Sequence, residues 1–183
     1  RGTETSVGIS GTGNVRKGLI AFCKEQGIDH KARKETNAGQ IPVGGPMAKF
    51  WGDGMVVVGD AAGLTNPCSD GGNHAALFSG RLAARYLTLD MEGEGIDALR
   101  MYDKELRTSP FCEPVLWKAA DCLHKVGDDV WDFLAGAAEG GSLVEIGKGK
   151  LLAAMLRRPR FLAALPRLLP IYKASKIYRK YGW

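Results

Sequence analysis

Between Trp51 and Ala84 the chain reads WGDGMVVVGDAAGLTNPCSDGGNHAALFSGRLAA, and no other stretch restricts its fold so sharply. Met55–Val58 is a short continuous apolar run bracketed by Asp53-Gly54 and Gly59-Asp60. That is the composition of a central parallel strand buried on both faces. The run ends on Asp60, a carboxylate at the carboxyl end of a strand, where open α/β sheets bind their ligands. Asp60 has the chemistry to accept hydrogen bonds from sugar-like hydroxyls. Gly63, Gly71 and Gly72 remove side chains where backbone must approach a flat or phosphorylated ligand. From Asn73 to Leu87 the set Ala76, Leu77, Gly80, Ala83, Ala84 and Leu87 keeps helical spacing. The orphan amides opening that helix favour an anionic group, and the small pair Ser79-Gly80 predicts close approach to a sheet. The plainer alternative is a tight strand–loop–helix turn with no ligand.

Upstream, Thr3–Ser10 alternates small polar and apolar residues and reads as a strand. Gly11 to Asn14 is turn chemistry, and Val15–Gln26 is an amphipathic helix that Gly27 is placed to end. Thr36–Val43 reads as extended, broken by Gly44-Gly45-Pro46. Downstream of Gly95 the pattern is helical: Ile96–Arg107, Pro114–Val126, Asp128–Ala138 with Asp128 as N-cap, and Val144–Arg157. Pro159, Pro166 and Pro170 are expected to divide the remaining tail into short pieces. The fold class is therefore α/β, with three segments. Residues 1–46 form a strand–helix–strand unit, 47–95 a strand–loop–helix unit, and 96–183 an all-helical region with a basic tail.

With 183 residues, 45% apolar and 25% charged, the chain can bury the core of one full-sized domain or two small ones. Collagen-like, disordered and disulfide-stapled classes are excluded. No run of about eighteen apolar residues occurs, so no transmembrane helix is predicted within it. Cys23, Cys68, Cys112 and Cys122 show no C-x-x-C spacing, and His30, His74 and His124 lie far apart. This predicts no metal site and a reducing, cytoplasmic setting. From Ile146 onward there are ten Lys/Arg and no Asp or Glu, whereas the preceding residues hold fifteen bases and twenty acids. On α-helical spacing Ile171, Ala174, Tyr178 and Tyr181 share one stripe, with Lys173, Lys176 and Lys180 on another. The tail is either a peripheral membrane-binding segment for anionic lipid or a basic face packed on the acidic body. Nucleic acid is not expected, since no reading motif accompanies the charge.

The string GDAAGxxxP, the Gly-rich helix start and SGRLAA together resemble the second FAD-binding motif of the flavoprotein hydroxylase-like superfamily. With the approach IPVGGP at 41–46, the segment from Ile41 to Ala84 resembles the geranylgeranyl reductase family, with FixC-like flavoproteins as near relatives. The resemblance implies a partial FAD-binding, glutathione-reductase-like fold with part of a substrate-domain sheet. It implies an FAD-dependent oxidoreductase that saturates isoprenoid double bonds of a lipid, by hydride delivery to one alkene carbon and proton delivery to the other. Asp60 would contact the ribityl chain or pyrophosphate, and Gly59, Ala61, Ala62 and Gly63 would form the loop carrying it. Pro67 to Asn73 would pass beside the isoalloxazine ring, with Gly72 and Asn73 donating amides near its pyrimidine edge and Gly71 in the same bend. Cys68 is the one nearby acid to test, and His74 could touch flavin or substrate. Asp70 stands where the family pattern has glycine, and Asn73 where the reductases often have Ile.

The alternatives are electron transfer to quinone, as in FixC-like proteins, or a non-catalytic subunit complementing a separate FAD-binding chain. Gly11-x-Gly13-x-x-Arg16 lacks the third glycine of a nucleotide loop. The chain, which starts at Arg1, is therefore expected to be the C-terminal half of a flavoprotein. Its N-terminal FAD-binding half would lie on the same or a separate chain, and these residues alone would bind FAD weakly or not at all.

Overall fold

A computed structural model describes residues 6–11, 13–52, 54–89, 91, 93, 96–138 and 148–181. The chain divides into two compact units, 1–40 and 41–183. In the first, helix α1 (Val15–Glu25) starts where the Asn14 side chain accepts from the Lys17 amide at 3.0 Å. It ends where Gly27 turns left-handed, φ 66°. Of the predicted strand Thr3–Ser10, Thr3 to Thr5 lie outside the described residues and Ser6–Ser10 are coil. Alternation alone does not make a strand; pairing in a ladder does. Residues 36–42 are exposed coil.

The second unit opens with a hairpin, β1 (Trp51–Gly52) against β2 (Met55–Val56), antiparallel with Trp51 opposite Val56. This corrects the expectation of a central parallel strand. The Val57 amide donates to Phe50 O at 2.8 Å, extending the pairing by one residue. Met55 is 61% exposed and the three valines are half-buried, so the run is covered on one side only. Gly54, at φ 70°, reverses the chain so that its nearest pairing partner is local. Among the described residues this hairpin is the only ladder, and the unit is mostly helical.

Helices α2 (Asn73–Leu89) and α3 (Ile96–Arg107) pack together over the hairpin. Phe50, Leu64, Tyr102 and Leu106 are almost fully buried between them. The inward face of α2 is Ala75, Ser79, Leu82, Ala83 and Tyr86; of the apolar set expected from spacing only Ala83 is buried, and Leu77 is 74% exposed. Polar-tipped residues face inward because each finds a partner: Tyr86 Oη donates to Glu105 at 2.5 Å, and Ser79 is bonded to the loop that leaves β2. Arg85 also lies by Glu105, at 3.6 Å.

A second core joins α5 (Asp128–Ala138), α6 (Lys148–Arg157), the 3-10 turn Pro159–Ala164 and α7 (Leu165–Tyr181). Met155 and Phe161 are buried at its centre, Trp131 is partly buried against it, and Phe133 stacks on Phe161 at 4.2 Å. Residues 144–147 of the predicted helix lie outside the described residues. The carbonyl that opens α5 belongs to Gly127, which accepts from Val130 and Trp131, so Asp128 is the first helical residue and not the cap.

Prolines do not divide the tail as expected beyond Pro159. Pro166 lies in the first turn of α7, where an amide is orphaned anyway. The helix runs on through Pro170, whose ring is buried, so packing offsets the missing hydrogen bond. Helix α4 (Val115–Leu123) lies along α7, and Leu116 and Ala119 meet Ala174 where small side chains permit close approach. Ile171, Ala174 and Tyr178 thus point into the molecule, while Tyr181 is 39% exposed. Among the described residues no helix is long and apolar enough to cross a membrane.

Candidate functional site

After β2, Gly59–Ala62 makes one turn of 3-10 helix closed by Gly63 in the left-handed region, φ 71°. Gly59 also has positive φ, 55°, and a Cβ there would stand 2.9 Å from the Ala76 Cβ. Only glycine satisfies both the dihedral and the approach to α2. The Gly59 amide donates to Ser79 Oγ at 2.8 Å, and that hydroxyl donates to Ala75 O at 2.6 Å. Ser79 is therefore the pin between loop and helix; Gly80, its predicted partner in close approach, faces open space. At the other end, Gly63 packs so tightly on the Gly45 carbonyl that any side chain would collide with it. The Met47 amide donates to Ala62 O at 3.1 Å. Trp117 Nε1 donates to Val43 O at 3.1 Å and holds the IPVGGP segment in place.

Asp60 and Ala61 are exposed at the crest of this turn, while Ala62 is buried. The Asp60 carboxylate accepts from Thr65 Oγ1 at 2.8 Å, and a Cβ on Gly72 would run into its oxygens. One hydroxyl orients the carboxylate of an exposed residue, leaving it acceptor capacity for further donors. The 66–71 bend is closed by two backbone bonds, Asn66 N to Gly71 O at 2.8 Å and Asp70 N to Asn66 O at 2.9 Å. Asn66 Oδ1 accepts from Cys68 N at 2.8 Å. Asp70 has φ 57°, the conformation that glycine adopts without strain and that Asp tolerates better than most residues. Its place in a glycine pattern is thus met by backbone geometry.

Beside the carboxylate lies an open groove of about 360 Å³ lined by Asn66, Ser69, Asp70, Gly71, Gly72 and the first residues of α2, Asn73 and His74 among them. The first-turn amides of a seventeen-residue helix open onto it. Of the residues singled out in the sequence, Asp70, Gly71, Gly72, Asn73 and His74 line it, and Asp60 abuts it at Gly72. Pro67 and Cys68 do not line the groove. Cys68 Sγ lies 3.7 Å from Leu116 O and packs with Tyr178 against α4 and α7. Burial pushes the Cys68 thiol up, only partly opposed by its hydrogen bond with Tyr178, so it stays protonated at neutral pH. Burial and the Cys68 contact likewise push the Tyr178 phenol up.

Three relatives are similar to most of this chain. A digeranylgeranylglycerophospholipid reductase of Methanothermobacter thermautotrophicus is 32% identical over 154 residues, 82% of this chain and 39% of the relative. That of Methanocaldococcus jannaschii is 30% identical over 187 residues, 94% of this chain and 45% of the relative. That of Methanoculleus marisnigri is 28% identical over 177 residues, 92% of this chain and 44% of the relative. The chain belongs to the geranylgeranyl reductase family. It spans less than half the length of these curated relatives. No family model and no solved structure matches it.

Four residues that brace the loop are not among the expected site residues: Thr65, Asn66, Ser79 and Tyr178. Thr65 and Asn66 were legible in principle, as a hydroxyl and an amide within six positions of Asp60 in a loop with orphan backbone groups. Tyr178 was not, because it reaches the loop from a helix more than a hundred residues away.

Proposed function

We propose that this chain is part of an FAD-dependent reductase acting on isoprenoid double bonds of a lipid, and that the 59–74 loop holds part of the flavin. The observation that carries the reading is the exposed Asp60 carboxylate, oriented by Thr65 beside an open groove, in a chain whose curated relatives are named as reductases of a geranylgeranylated phospholipid. The residues present fit that group. Asp60 supplies acceptors for ribityl hydroxyls, and Gly59, Ala61, Ala62 and Gly63 keep the turn that presents it. The amides of Gly72 and Asn73 supply donors for the polar edge of a ring system, in a groove whose walls lack bulky side chains at Gly71 and Gly72. When bound, FAD would supply the two-electron chemistry that an alkene reduction needs.

What the chain itself does is position and shield. Ser79 fixes the distance between the turn and α2, and the Trp117 contact holds the 43–46 segment against Gly63. Cys68, protonated and turned toward α4, anchors the bend; it is not poised as a nucleophile. Groups outside these 183 residues, on the same or a separate polypeptide, would complete the cofactor site, a reading consistent with the partial span of the relatives.

The test is spectroscopic and chemical. The intact native protein is expected to carry flavin absorbance and to add two hydrogens per double bond to a geranylgeranylated lipid, read by mass spectrometry. Asp60→Ala is expected to lower flavin affinity at least tenfold, the loss of about 1.5–3 kcal/mol that charged hydrogen bonds contribute. Flavin retention unchanged in Asp60→Ala would remove the assignment of this loop.

A further inference from the structure

The last third of the chain separates its charge by face as well as by sequence. In α7, Leu168, Ile171, Ala174 and Tyr178 pack inward. Leu169, Lys173, Lys176 and Lys180 succeed one another at i, i+4, i+7 and i+11 and are exposed. In α6, Leu151 and Met155 join the core, while Leu152 and Leu156, one turn apart, are 48% and 63% exposed. Arg157, Arg158 and Arg160 come directly after them, all exposed. These elements share one core, so both outward faces are held by the same packed unit. Ten bases stand in residues 146–183 with no acid among them, against a net-acidic remainder.

We propose that the outward faces of α6, the 159–164 turn and α7 form a docking surface for an anionic lipid bilayer. Clustered cations without interspersed acids match a negative surface potential, and the exposed Leu152, Leu156 and Leu169 supply apolar tips that a headgroup layer can bury. A nucleic acid would use the cations and leave those leucines in water, which is why the bilayer is the better fit. The apolar stripe that sequence spacing offered for membrane contact is not the one used, because Ile171, Ala174 and Tyr178 are already committed to α4. The inference stands independently of the flavin reading.

Vesicle flotation of the intact native protein tests it. The protein is expected to float with phosphatidylcholine vesicles containing phosphatidylglycerol, and not with phosphatidylcholine alone. Salt near 1 M, which shortens the screening length to about 3 Å, should release most of it. At about fivefold in partition per engaged base, Lys173→Gln/Lys176→Gln/Lys180→Gln should weaken binding on the order of 100-fold. Leu152→Ser/Leu156→Ser should abolish the salt-resistant remainder, and Lys104→Gln/Lys118→Gln, on other helices, should leave binding unchanged. Circular dichroism of each variant separates lost binding from lost fold. Failure to float with anionic vesicles, equal flotation with neutral ones, or duplex DNA binding tighter than vesicle binding and indifferent to the leucine substitutions would each overturn the proposal.

Discussion

Ser79 holds two backbone partners with one buried hydroxyl, accepting from Gly59 N and donating to Ala75 O. Ser79→Ala would leave the Gly59 amide buried without an acceptor, at a cost of about 1–3 kcal/mol. Urea denaturation of the variant should show that loss as a lower midpoint with an unchanged slope. A flavin titration should show weakened binding as well, since the turn that presents Asp60 would lose its pin to α2. Ser79→Thr keeps the hydroxyl but adds a methyl at a fully buried position, and it is expected to recover only part of the stability. The serine was visible in the sequence only as a small residue allowing close packing. Its hydroxyl matters because Gly59, with φ 55°, turns its amide out of the ladder and toward the helix.

At the scale of elements, the contact of α4 with α7 ties the tail to the loop, since Cys68 and Trp117 pack at the same place as Ala119 and Ala174. Ala174 is 1% exposed and Ala119 is fully buried. Ala174→Leu should force the helices apart and cost about 1–3 kcal/mol. Because the same packing holds Cys68, the variant thiol should become more accessible, and a thiol reagent should modify Cys68 faster than in the parent protein. Unchanged thiol kinetics alongside reduced stability would separate the tail from the loop. Helices α1, α2, α3 and α5 begin or end within two residues of where spacing and breakers place them. Their periodicity is local information. Met55–Val56 is a strand, but in a hairpin with Trp51–Gly52 and not at the centre of a parallel sheet: an apolar run says that a segment is covered, not which segment pairs with it.

At the scale of the whole molecule, the Asp103–Arg107 pair joins α3 to the segment entering the hairpin. Asp103 accepts from Phe50 N at 2.8 Å and from Arg107 Nε at 2.7 Å, and Arg107 Nη2 donates to Ala48 O at 2.5 Å. Burial alone would raise the Asp103 carboxyl, but the Arg107 and Phe50 hydrogen bonds and the nearby cationic charges outweigh it and hold it below the ordinary value. A carboxyl whose folded pKa is depressed stabilises the fold above its unfolded pKa, about 3.9, and that contribution is lost as pH falls through the folded value. Thermal melts of wild type and Asp103→Asn should therefore differ most near neutral pH, by roughly 2 kcal/mol. The two curves should begin to approach each other near pH 4 and meet only below the depressed folded value. A gap that persists into strong acid would show that the amide fails for steric reasons. Tyr102, packed beside this pair and donating to Val57 O at 2.7 Å, is pushed up to about 12 by burial and neighbouring charge, so it takes no part in that titration.

Near neighbours along the chain were enough to set the extents of α1, α2, α3 and α5, the glycines a tight turn demands, the carboxylate after the valine run, and a tail without acids. Which face of each helix is spent on packing was settled only when distant segments met. Their meeting turned Cys68 toward α4, α2 onto its Ser79–Tyr86 side, and the lysines of α7 outward. Those choices rest on contacts between segments as much as 110 residues apart, as from Cys68 to Tyr178, where burial and hydrogen-bond satisfaction are resolved jointly and no local spacing records the outcome.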